Sequence, residues 1–141
     1  MVDRTLILRK FTDFDEYQKQ LGEFSNITVN DYSKDWKTQR IVERTLQMLI
    51  EVGIDIANNI ISDQGMRVPL SYSDTFKVLH ENKIIDDGLY QSMEKMAKFI
   101  NLIVHNYDKI DPAIVVQILQ KFLDDFTSYK VAILEWINKK G

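Results

Sequence analysis

The sequence predicts an all-α fold, an antiparallel up-and-down bundle of four long helices and one short one, on three observations. Apolar residues recur at three- and four-residue steps through most of the chain, the spacing that gives a helix one apolar face. Only five Gly and two Pro interrupt its 141 residues, so the elements run long. No stretch alternates apolar and polar residues between turn signals, which leaves no basis for a sheet. The length is that of one domain, spanning residues 1–141.

From Val2 to Phe24, the residues Ile7, Phe11, Phe14, Leu21 and Phe24 line one side of a first helix. Ser25 through Ser33 reads as a connection, because Asn, Asp and Ser side chains compete with helical hydrogen bonds. Asp35 is placed to cap a second helix from Trp36 to about Ser62. Leu46, Leu49, Ile50, Gly53, Ala57 and Ile60 form one stripe on it, and Met48, Val52 and Ile56 another. One wide apolar face suffices in a small monomer, so this helix is either central or shared with a second subunit.

Asp63-Gln64-Gly65 ends that helix, and Arg67-Val68-Pro69 continues the loop. Ser73 caps a short helix to about Glu81, with Phe76 and Leu79 inward. Asp86-Asp87 opens the next, where its negative charge suits the helix dipole. Its stripe is Leu89, Met93, Met96, Ala97, Ile100 and Val104. Asp111-Pro112 is a cap followed by proline at the first helical position. The last helix runs to about Asn138, turning Val115, Ile118, Leu119, Phe122, Phe126, Tyr129, Ile133 and Trp136 inward. Short connections between long helices make neighbours antiparallel.

Composition narrows function. With no Cys, disulfides, thiolate metal sites and thiol nucleophiles are excluded. No apolar run is long enough to cross a bilayer, and Met1-Val2-Asp3-Arg4 lacks the layout of a signal peptide, so the cytoplasm is the expected compartment. A formal net charge of -3 argues against a large basic groove for nucleic acid and leaves room for a small local site. Neither His has Glu three residues before it, and no His-Glu-x-x-His occurs, so neither metal nor cofactor is expected.

Two His remain. A solvated or capping role accounts for His80, beside Glu81 and Asn82. His105 shares a polar face with Glu94, Lys98, Asn101 and Asp108, opposite the stripe of Ile100 and Val104. Spacing alone leaves two roles open: a surface imidazole favoured by the helix C-terminus, or a proton-transfer residue.

The segment Ile103-Val104-His105-Asn106-Tyr107-Asp108-Lys109-Ile110-Asp111 resembles the signature of the HepT-like branch of the HEPN proteins. In that signature an Arg lies four to six intervening residues before a His-x-Tyr, usually as Arg-Asn-x-x-Val-His-x-Tyr. Arg40 through Gln47, continuing into Ile54 to Asn58, is similar to the family's second helix, and the likeness spans nearly the whole chain. The resemblance implies a homodimeric bundle and a metal-independent ribonuclease toxin acting on RNA. It also implies a partner antitoxin of the minimal nucleotidyltransferase type, MntA. His105 would then transfer the proton while a ribose 2′-hydroxyl attacks phosphorus, a task suited to a group that titrates near neutrality. The motif Arg would hold the phosphate. Tyr107 would be the residue that the antitoxin modifies with adenylate.

The sequence departs from the signature at one place: the motif Arg position is Ile100. Lys98, at the longest permitted spacing, and Asn101, one turn before His105, are the candidates to replace it. Two readings follow, a toxin nuclease weakened at position 100 and a catalytically inactive HEPN module that dimerises and pairs with a nucleotidyltransferase. A helical dimer unconnected with RNA is a third.

Overall fold

The computed structural model describes residues 2–140, with the Tyr107 side chain outside the described set. Its helices are α1 (Arg4–Gly22), α2 (Val29–Lys34), α3 (Trp36–Asp63), α4 (Tyr72–Glu81), α5 (Asp87–His105), α6 (Pro112–Gln117) and α7 (Leu123–Lys140). A 3₁₀ turn, Tyr107–Lys109, follows α5, and a π-helical turn, Ile118–Phe122, joins α6 to α7. The fold is the all-α antiparallel bundle the sequence predicts. Among the described residues no helix is long and apolar enough to cross a membrane.

Capping fixes where the helices begin. The Asp3 carboxylate accepts from the Leu6 amide at 3.0 Å, Asp35 from Thr38 at 3.1 Å and Asp86 from Leu89 at 2.8 Å. Helix α4 begins earlier than expected: its cap is Ser71, whose hydroxyl accepts from the Asp74 amide at 3.0 Å, and Ser73 lies inside the helix. The loop before it is clasped by Arg67, whose guanidinium donates to Asp74 at 2.7 and 2.8 Å and to Glu81 at 2.7 and 3.1 Å. Gly65 makes the turn out of α3 at φ 64°, a conformation that a Cβ disfavours.

Helix α3 runs through the middle, packed against α1, α4, α5 and α2. Its first stripe, from Leu46 to Ile60, is buried throughout; on the second face Ile56 is buried while Met48 and Val52 are half-covered. Aromatic rings close the core around Phe14, which meets Phe11 edge-on at 5.3 Å and Phe126 at 5.9 Å. Tyr129 packs edge-on to Phe76 at 5.7 Å, and its hydroxyl donates to the Gly53 carbonyl at 2.7 Å.

Three further expectations are corrected. The stretch from Ser25 to Ser33 contains α2, because Thr28 caps it by accepting from the Asp31 amide at 3.1 Å and Tyr32 anchors it in the core. Val104 is 51% exposed, since no residue of α5 beyond Ile100 is buried and the helix end projects past its neighbours. The single last helix is α6, the π turn and α7 in succession; Phe122 and Trp136 are half-buried, and Ile137 takes the inward place. A straight helix repeats every 3.6 residues, so its apolar stripe drifts off a 3.5-residue pattern within a few turns.

Candidate functional site

His105 is the last residue of α5 and lies on the surface. The helix stops there because Asn106 turns to φ −138°, while its amide still donates to the Leu102 carbonyl at 3.0 Å. The Lys109 amide donates to the Asn106 carbonyl at 2.8 Å and closes the 3₁₀ turn. His105 therefore sits where α5 presents its unpaired carbonyls, on a short, backbone-pinned corner. The backbone of Tyr107 opens that turn; its side chain lies outside the described residues.

The other sequence candidates are placed unequally. Asn101 is exposed one turn before His105, about 6 Å along the axis. Lys98 is exposed about 10 Å back along the axis. Its ammonium lies 3.5 Å from the Glu94 carboxylate, on the side away from His105. Ile100 is 0% exposed and packs in the core, on the far side of α5 from His105. Nothing at position 100 reaches solvent. His80 stacks on Tyr90 with ring centroids 5.0 Å apart, and its Nε2 is 3.7 Å from the Asp87 carboxylate. Among the described residues no group of three or more His, Asp or Glu side chains is arranged to hold a metal ion.

Beside the corner lies a cavity of about 180 Å³. Asp108 and Ile110 form one wall; Tyr32 of α2 and Gln39, Arg40 and Glu43 of α3 form the other. Arg40 donates through Nη1 to Glu43 Oε1 at 3.1 Å, and the Arg side chain is 48% exposed where that of Glu43 is 8%. Burial pushes the Glu43 carboxyl up, and the Arg40 charge partly opposes the rise. Burial, then the Glu43 charge, pushes the Tyr32 phenol up as well. Sequence reasoning used Arg40 and Glu43 only as part of a helix match and passed over Tyr32 as a loop residue. The available signal was the i,i+3 pairing of opposite charges at the start of α3.

A family model described as ribonuclease HepT-like matches residues 14–133. The chain belongs to the ribonuclease HepT-like family. Among HepT-like proteins it is similar to the mRNA nuclease HepT of Shewanella oneidensis, 34% identical over 100 residues, 71% of this chain and 75% of that one. It is also similar to the tRNA nuclease HepT of Aphanizomenon flos-aquae, 29% identical over 113 residues, 80% of this chain and 77% of that one. Its fold superposes on a tri-AMPylated Shewanella oneidensis HEPN toxin in complex with an MNT antitoxin, with TM-score 0.85 and 30% identity. That match covers 96% of this chain and 99% of the toxin.

Proposed function

We propose that this protein is the toxin of a toxin–antitoxin pair, an endoribonuclease that cuts RNA without a metal at a cleft shared by two copies. The observation that carries the reading is the exposed His105 on its pinned corner, within a chain of the ribonuclease HepT-like family. His105 takes the proton from a ribose 2′-hydroxyl as that oxygen bonds to the adjacent phosphorus. The bond to the 5′-oxygen then breaks, and the leaving oxygen receives a proton from the imidazolium of the partner copy or from water. The products are a 2′,3′-cyclic phosphate and a 5′-hydroxyl, so atoms and charge balance. Asn101, a turn away, orients the imidazole or the phosphate, and Lys98 adds positive charge along the path of the strand. Homodimerisation is supported by the family and by Ile41 and Val104, exposed apolar residues next in sequence to Arg40 and His105.

The antitoxin in this reading is an MntA-like minimal nucleotidyltransferase, and Tyr107 is its target. The phenol oxygen bonds to the α-phosphorus of ATP and displaces pyrophosphate, leaving a bulky anion beside the cleft. The AMPylated state of the Shewanella oneidensis toxin supports this assignment. The cytoplasm, where RNA and ATP are available, is the compartment the proposal requires. One observation favours a second reading, a catalytically inactive module that only dimerises and binds the nucleotidyltransferase: Ile100 puts no cation where the signature has Arg.

Purified protein and its His105→Ala variant, incubated with cellular RNA and a chelator, separate the two. Cleavage by the parent alone supports the nuclease. RNA that survives both, or is cut equally by both, leaves the binding module.

A further inference from the structure

The corner at His105 carries a proton-transfer group and, in exposed Lys109 on the 3₁₀ turn, a cation of its own. A nuclease also has to hold the strand that runs up to the cut. We propose that the first turns of α3 do this: an unpaired base of the RNA stacks on Trp36, and the phosphates beside it lie against Lys37 and Arg44. This rests on the nuclease reading above and narrows its substrate to RNA that is single-stranded beside the cut.

Trp36 is the first residue of α3 and is 64% exposed, although Trp is highly buried on average. Neither the core nor the helix start calls for it: the cap is Asp35, whose carboxylate accepts from the Thr38 amide at 3.1 Å and the Thr38 hydroxyl at 2.7 Å. The Lys37 ammonium stands 5.8 Å from the Trp36 ring centroid. Every base has a π-face, so an open indole with a cation beside it is a platform on which single-stranded nucleic acid stacks. Lys37 and Arg44 are seven residues apart, two turns of helix, and share one exposed side of α3. Neither is ion-paired among the described residues. Arg40, between them, is held by contacts of its own, the Glu43 pair among them, and takes no part. The acids of the stretch are occupied, Asp35 by Thr38 and the nearly buried Glu43 by Arg40. The exposed charge from Lys34 to Arg44 is therefore positive in a chain of net charge -3, which favours a polyanion as the occupant. The ridge also leads to the corner. Gln39 and Arg40, one turn on from Trp36, wall the cavity whose other side is Asp108 and Ile110, three and five residues beyond His105. Double-stranded RNA keeps its bases stacked on one another and offers Trp36 none.

The test titrates the parent, Trp36→Ala, Trp36→Phe and Arg44→Gln with a single-stranded oligonucleotide bearing 2′-O-methyl sugars, which a 2′-hydroxyl mechanism cannot cut. Melting temperature and light scattering establish that each variant folds and keeps the parental mass. Trp36→Ala should weaken binding roughly 5- to 150-fold, the range for one base–aromatic stack, and leave the salt slope unchanged. Arg44→Gln should lower the salt slope by roughly 0.7, the value for one phosphate contact on a single strand. Trp36→Phe keeps a ring and should recover most of the affinity, which a charge effect alone does not explain. Tryptophan fluorescence should be quenched by the single strand in the parent, not by a duplex of the same sequence, and not in Trp36→Phe, where only the half-buried Trp136 remains. That comparison decides the matter even if Trp36→Ala fails to fold. Equal affinity in the parent and a folded Trp36→Ala, or equal quenching by single strand and duplex, overturns the proposal. So does a Trp36→Ala protein of half the parental mass, because the ring is then covered by a second copy. Cleavage is scored separately. A parent that cuts RNA while Trp36→Ala binds and cuts equally well leaves the nuclease reading standing without this ridge. A parent that binds through Trp36 and cuts nothing leaves the ridge standing without the nuclease.

Discussion

Ile100→Arg rewrites the chain to match the family signature, and the structure says that it damages the fold instead of restoring a catalytic group. The side chain is 0% exposed and belongs to the core cluster, on the opposite side of α5 from His105. Burial of an Ile side chain contributes about 1.5–3 kcal/mol, all lost on replacement. A guanidinium left there without a partner costs several kcal/mol more, reduced where the long stem reaches the surface. The sum is at least about 4 kcal/mol, a large fraction of a typical domain stability of roughly 5–15 kcal/mol. At about 2.1 cal/mol/K per residue, the unfolding entropy of a chain of 141 residues is roughly 0.3 kcal/mol/K. The melting temperature should therefore fall by about 13 °C or more. Ile100→Leu, which conserves volume, should cost less than about 1.5 kcal/mol, or about 5 °C. Calorimetry or thermal circular dichroism reads both, and RNA cleavage is assayed at a temperature where each variant is folded. An Ile100→Arg protein that melts with the parent and cuts RNA faster would refute the reasoning, because position 100 would then reach the cleft.

Tyr129→Phe removes the hydroxyl that donates to the Gly53 carbonyl in the core. It should cost about 1–2 kcal/mol, or roughly 3–6 °C by calorimetry. At Gly53 an added Cβ would meet Phe14 and Tyr129 ring carbons at 3.5 Å, an ordinary contact. Gly53→Ala should therefore raise the melting temperature by about 2–3 °C through helix propensity, and a fall would show that the rings cannot accommodate it. Arg67, together with the Leu70 amide, holds the Asp74 carboxyl well below the usual carboxylate range. A depressed folded pKa gives stability that is complete above the unfolded value near 4 and lost as pH falls through the folded value. The melting-temperature gap between the parent and Asp74→Asn should be widest near pH 6 and narrow as pH falls below about 4, and a gap independent of pH refutes the ion pair as its source. Light scattering should give twice the monomer mass, and Val104→Glu should lower it if the face beside His105 forms the dimer.

The sequence alone determined the class of fold and the order of its long helices. Stripes at helical spacing, such as Leu46 to Ile60, report which faces must leave water, and caps such as Asp35, Asp86 and Asp111 report where helices can start. The His-x-Tyr segment also fixed the family and the candidate proton-transfer residue, because a short motif keeps its spacing in any fold. Ser71 beat Ser73 as a cap only because the Arg67 clasp with Asp74 and Glu81 sets where α4 begins. Helix α2 was illegible for a related reason: Asn, Asp and Ser disfavour it locally, and burial of Tyr32 against α3 overrides them. Only the tertiary structure decided what faces the turn after α5. Arg40 and Asp108 are 68 positions apart in the chain, and no local pattern reports that α3 and the turn after α5 form two walls of one cavity. Proximity of that kind comes from the packing of the bundle.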